Sequence, residues 1–184
     1  MSFTSLRALA RRYRAKVFIA AVASLGLFAS TEPGLRAQNQ PTLQPLPPLL
    51  RQVSDAVGVM SIAEGRVLSN LLAEIEEKTR TKIIVVIMPT VAPESVEDYA
   101  QRLADRWLNS GRIQEGGRFV FVVIAKEDRA LRVLPSRKLV RLLKPLENSE
   151  TVREVPRLLR EDRYYEALTA IARKVSDLVA ESTV

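Results

Sequence analysis

Two stretches of this sequence hold residues whose types and spacing could do chemistry. The first is a set of carboxylates: Asp55, which stands before a small-residue segment ending in Gly58, and Glu127 and Asp128, adjacent acids in a short polar turn. Oxygen donors of this kind suit hard cations such as Ca2+ or Mg2+. An Asp before such a segment equally suits a turn, where its side chain accepts bonds from nearby backbone N–H groups. The second stretch is RALRVLPSRKLVRLLKP, residues 129–145, which reads as a strand ending at Pro135 and running into a basic helix. Ser136, Arg137, Lys138, Arg141 and Lys144 form a partner- or anion-binding set there, or else a solvated helix face. Glu97 and Asp98 fall in the first turn of a helix, where carboxylates complement the helix dipole or serve as metal ligands.

Composition narrows the chemistry further. The 184 residues include no histidine and no cysteine. That excludes disulfides, thiol and Ser-His-Asp catalysis, and ordinary zinc, copper or haem sites. The apolar fraction of 47% and charged fraction of 27% are those of a folded domain with a sizeable core. The net charge of +7 suggests nucleic acid, but its distribution argues against it. Residues 1–37 hold six basic residues and one acid, and the remainder carries 22 basic and 20 acidic residues, a net of +2. Neither Gly-aromatic nor zinc-finger recognition spacing accompanies it, so no nucleic-acid partner is expected.

The N-terminal charge belongs to an export pattern. Five basic residues in 1–16 precede VFIAAVASLGLFA, residues 17–29, an apolar run too short for a comfortable span and suited to a signal core. Residues 1–37 are therefore expected to be an export signal or an N-terminal anchor, with delivery to a periplasm or thylakoid lumen. QNQPTLQPLPPLL, with four prolines, reads as an extended linker within 38–52. Residues 53–184 are expected to fold as one α/β domain.

The elements that must position these residues follow from periodicity. Ser61 and Glu64 make a capping box, and Leu68, Leu71, Leu72 and Ile75 repeat with helical spacing. KIIVVIM (82–88) is a continuous β-branched run, as in a strand covered on both faces. Ser95 opens a second helix with Val96, Tyr99, Ala100, Leu103 and Trp107 on one face. RFVFVVIA (118–125) and ALRVLP (130–135), joined by KEDR, predict an antiparallel hairpin. A short helix from Leu139 is expected to stop at Pro145, and the chain closes in further helices through Leu178. The order α-β-α-β-β-α-α-α predicts a small mixed sheet with helices packed on both faces.

In order and spacing, these features resemble the TPM domain, a family that includes thylakoid-lumen acid phosphatases, photosystem II repair proteins and receptor-modulating membrane proteins. The resemblance rests on Asp55 with Gly58, the capped helix, the strand ending near proline, Glu97-Asp98-Tyr99-Ala100, Trp107, Gly117 before a hydrophobic strand, Asp128-Arg129, and Pro156 followed by Tyr164-Tyr165-Glu166-Ala167-Leu168. It covers about residues 50–182 and implies a TPM-like α/β fold. It places Asp55 near the family's cleft, and a metal-dependent phosphatase of that type would need Asp55 gathered with Glu127 or Asp128 around Ca2+ or Mg2+. Two departures stand out. Glu115-Gly116-Gly117 replaces the family's usual Asp-Asn-Gly, and Leu134-Pro135-Ser136-Arg137-Lys138-Leu139 replaces a glycine-rich acidic segment. Two functions therefore compete. One is an interaction module that assists assembly, repair or maintenance of a membrane protein complex (photosystem II repair in a photosynthetic cell) or meets an anionic membrane surface. The alternative is a divalent-cation-dependent acid phosphatase.

Overall fold

The structure, a computed structural model, describes residues 42–181, which belong to one compact unit. The export segment expected in residues 1–37 lies outside the described residues. The chain runs β1 (Val53–Asp55), α1 (Ile62–Thr79), β2 (Lys82–Met88), α2 (Val96–Asn109), β3 (Phe119–Ala125), β4 (Ala130–Pro135), α3 (Val140–Glu147), α4 (Glu150–Arg160) and α5 (Tyr164–Glu181). The sheet order is β1-β2-β3-β4. β1, β2 and β3 are parallel, and β4 returns antiparallel to β3, with Ile124 opposite Leu131 and Ala125 opposite Ala130.

The expected mixed α/β architecture is present, with local signals doing what they predict. Ser61 accepts from the Glu64 N–H while the Glu64 carboxylate accepts from the Ser61 N–H, closing the capping box of α1. Ser95 caps α2 with its hydroxyl, which accepts from the Asp98 N–H. Two elements differ from expectation. β1 precedes the first helix and is only three residues long, too short to show a period. Helix α3 continues past Pro145 to Glu147. Pro145 is exposed and stands two residues from the helix end, so the one helical bond it forfeits leaves a carbonyl that water can reach.

β2 and β3 are buried on both faces. On one face Ile83, Val85 and Ile87 join Val120, Val122 and Ile124 beneath α1, α3, α4 and α5. On the other, Ile84, Val86, Phe121 and Val123 lie beneath α2, packed on Tyr99, Leu103 and Trp107. α1 and α2 thus cover opposite faces although β1, β2 and β3 step in one direction across the sheet. The two parallel crossovers consequently have opposite hands, and one departs from the right-handed preference.

The α2 face has a second cover. The proline-rich stretch lies along it as a strap, with Leu46 and Leu49 packed against the cluster. Three side chains of α2 hold its backbone. Arg102 donates to the Gln44 carbonyl at 2.9 Å, the Tyr99 hydroxyl to Pro45 at 3.4 Å, and Trp107 Nε1 to Pro47 at 3.0 Å. Arg102 is itself anchored by Glu94, whose carboxylate is nearly buried, and that bond holds the guanidinium charged above its ordinary pKa. At its described end, the segment expected as a linker is therefore bound to the domain.

Tyr99 is fully buried, and desolvation pushes its pKa up to about 12. The folded-state pKa lies above the unfolded value near 10, so the contribution to stability is complete below about pH 10 and is lost as pH rises towards 12. The Tyr99→Phe protein is expected to resist alkaline unfolding over that window by about 2 kcal/mol relative to wild type, measured by denaturant titration at pH 9 and pH 11.5. Trp107→Phe keeps an aromatic ring against Phe121 but loses the bond to Pro47, and a loss of about 1 kcal/mol is expected in the same titration at pH 7.

Candidate functional site

The carboxyl ends of the three parallel strands share one edge of the sheet. Because α1 and α2 leave that edge toward opposite faces, the loops after β1 and β2 flank a topological switch point, where open α/β sheets commonly bind ligands. Asp55 ends β1 here, and Asp128 stands in the turn after β3.

Both carboxylates are bound to backbone. Asp55 Oδ1 accepts from the N–H groups of Val57 at 3.0 Å and Gly58 at 2.7 Å, and Oδ2 accepts from Met60 at 3.0 Å. The side chain shapes the loop that brings Gly58, at φ 72°, into the approach to α1. Asp128 reaches across to the loop after β2, where Thr90 Oγ1 donates to Oδ1 at 2.8 Å and the Val91 N–H donates to Oδ2 at 2.7 Å. Glu127 is exposed and is held by its own N–H, which donates to the Pro89 carbonyl at 2.8 Å. Among the described residues no group of three or more acids is placed to hold a metal ion. The Asp55 carboxylate is engaged within its own loop, whereas Asp128 braces the turn after β3 to the loop after β2. A cleft of about 560 Å³ beside Asp55 is bordered by Arg51, Ser61 and Arg66.

Glu97 and Asp98 serve their own helix and its neighbour. Asp98 Oδ2 accepts from the Ser95 hydroxyl at 2.7 Å, and Glu97 pairs with Arg132 of β4 at 2.7 Å.

The opposite edge of the sheet gathers the basic set. Ser136 continues the ladder beyond β4: its N–H donates to the Phe119 carbonyl at 2.8 Å, and its hydroxyl accepts from the Phe119 N–H at 3.3 Å. At 6% exposure its hydroxyl is a structural bond rather than an accessible anion ligand. Arg137 and Lys138 follow it at the surface and, with Glu115, Gly116 and Gly117, border a cleft of about 530 Å³. The two segments that depart from the family pattern therefore meet. Arg141 and Lys144 extend the charge along α3, whose apolar side seats Leu143 and Leu146 in the core. Arg137, Lys138, Arg141 and Lys144 are exposed, and none forms an ion pair among the described residues. At the turn between α4 and α5 the pattern is different. Arg157 and Arg163 are tied to Glu154, Glu161 and Glu166, bonds that raise both guanidinium pKa values and lower those of Glu161 and Glu166.

The sequence model of the TPM domain matches residues 53–178. The chain belongs to the TPM family. Solved structures carry the same fold. The N-terminal domain of a P. gingivalis protein is 23% identical with a TM-score of 0.61, over 72% of this chain and 83% of that one. The N-terminal domain of a Corynebacterium glutamicum protein is 14% identical with a TM-score of 0.51, over 74% and 86%. A protein of the psychrophilic bacterium Bizionia argentinensis is 14% identical with a TM-score of 0.54, over 66% and 82%. No curated protein matches the chain. At these identities the likeness shows the fold alone.

Some contributors to this TPM domain escaped the sequence. Thr90 carries no motif, and its bond to Asp128 depends on strands β2 and β3 being neighbours. The strap was signalled only by Leu46 and Leu49, spaced among prolines above an aromatic helix face.

Removing the Asp55 carboxylate should unfasten the loop before α1. Asp55→Ala is expected to lose about 2 kcal/mol in thermal melts, by the same amount in EDTA, Ca2+ or Mg2+. A cation-induced rise in the wild-type melting temperature that vanishes in the variant would place a cation at Asp55 instead.

Proposed function

We propose that this TPM domain is an interaction module that docks through the cationic face formed by Arg137, Lys138, Arg141 and Lys144 on an anionic partner at a membrane. Its task would be the assembly, repair or maintenance of a membrane protein complex, which in a photosynthetic cell would be photosystem II. The observation that carries this function is the state of those four side chains: exposed, adjacent and without an ion pair among the described residues. A solvated face commonly mixes both signs, as Arg157, Glu161 and Arg163 do at the turn between α4 and α5. Here Val140, 52% exposed, lies among cations, an arrangement suited to an anionic lipid surface or an acidic protein patch. The basic start and apolar run of residues 1–29 support export and delivery to a membrane surface.

The phosphatase alternative would require Asp55 with Asp128 or Glu127 as cation ligands, and the backbone bonds of the two aspartates give it no support.

The test is co-sedimentation of residues 40–184, a unit holding both hydrophobic clusters, with vesicles of anionic and of neutral lipid. Each basic side chain near an anionic surface contributes about 1 kcal/mol, so Arg137→Glu with Arg141→Glu should weaken anionic-vesicle binding by at least about tenfold. The melting temperature should move by no more than about 2 °C, since both residues are exposed. Equal binding by the variant and the wild type would contradict the proposal.

A further inference from the structure

Helix α4 packs on α5 and α3 and leaves a gap toward the turn end of the β3–β4 hairpin. The gap is a cleft of about 730 Å³, within the roughly 300–1,000 Å³ of small-molecule sites. Its walls are apolar. Ile124 and Leu131 face one another across the hairpin, and Val152, Val155 and Leu159 present a stripe of α4. Leu131, Val152 and Leu159 are only half-buried, although they pack against the core.

The mouth is positive. Lys126, Arg129 and Arg160 border it beside Asp162. Asp162 pairs with Lys126 at 3.6 Å, and the Lys126 ammonium lies 5.7 Å from the centre of the Tyr164 ring, which holds it over the opening. Arg129 and Arg160 are exposed and make no ion pair among the described residues. Arg129 sits in the turn at φ 51°, a left-handed conformation that turns the chain at the cleft.

We propose that this cleft binds an amphipathic anion, an alkyl chain ended by a carboxylate, with the chain between the hairpin and α4 and the carboxylate at Arg129 and Arg160. The division of the lining decides the class. The walls offer little to a sugar or a nucleotide, whose many polar groups would be buried against the half-buried Leu131, Val152 and Leu159 without partners. A neutral hydrocarbon would leave the two guanidinium groups unused. An alkyl carboxylate satisfies both parts, burying methylenes below and accepting charge-assisted bonds above. The site is separate from the α3 face, so its failure and the failure of the docking function are distinguishable.

The test is titration of the full chain with hexanoate, octanoate, decanoate and dodecanoate below their aggregation thresholds, followed by amide chemical shifts. Shifts are expected in residues 124–131 and 152–164. Affinity should rise about three- to fourfold per added methylene until the cleft is full. Dodecanol should bind at least tenfold more weakly than dodecanoate. Arg129→Glu with Arg160→Glu should weaken dodecanoate binding by at least tenfold while leaving the fold intact, since both side chains are exposed. Arg137→Glu with Arg141→Glu should leave it unchanged. Leu131→Trp, which fills the cleft, should abolish binding; if that protein does not fold, the double arginine variant decides alone. Any of three results would overturn the proposal: no saturable shifts in these segments, equal affinity for dodecanol, or shifts confined to residues 136–147.

Discussion

Strands β2 and β3 are apolar on both faces, and the rest of the structure depends on that constraint. A sheet of this kind must be covered twice. Four helices supply one layer. On the other face α2, 14 residues long, is the sole helix among the described residues, and a helix of that length spans about 21 Å. The strap completes the cover with Leu46 and Leu49, fastened by Arg102, Tyr99 and Trp107. The same need places α1 and α2 on opposite faces, which creates the switch point at the carboxyl edge.

What occupies that edge bears on function. Asp55 and Asp128 accept five hydrogen bonds between them, four from backbone N–H groups and one from Thr90. These bonds fasten the loops after β1 and β2, so the acids are stabilising braces. The cations at the other edge are in the opposite condition. The segment Pro135 to Lys138 meets Glu115 to Gly117 there, and the charge of α3 is left without partners among the described residues. Under the proposed function, this unpaired basic face is the part of the domain that meets an anionic partner.

Much of the fold was legible because local and global signals agree. Ser61 with Glu64 and Ser95 with Asp98 mark helix starts, and KIIVVIM announces a doubly covered strand. β1 escaped because three residues carry no period, and its pairing with β2 is a long-range contact. The strap escaped because prolines read alike in a free spacer and in a docked extended segment. Pro145 misled because a proline near a helix end costs only one bond. For the site, the basic run was legible as a run. Whether Asp55, Glu127 and Asp128 converge was not, because that depends on strand order. The buried role of Ser136 was hidden for the same reason, since its partner Phe119 is 17 residues away.

The central claim is that this TPM domain works through the basic face of α3 and not through the acids at the carboxyl edge. The most direct measurement is residue-resolved amide mapping of residues 40–184 with anionic lipid nanodiscs, then separately with Ca2+ and inorganic phosphate. The account predicts perturbation centred on residues 136–147 with nanodiscs, and none at residues 55–60, 89–92 or 126–129 with the cation or phosphate. Saturable shifts in those three loops with Ca2+ or phosphate, and an unperturbed α3, would contradict it.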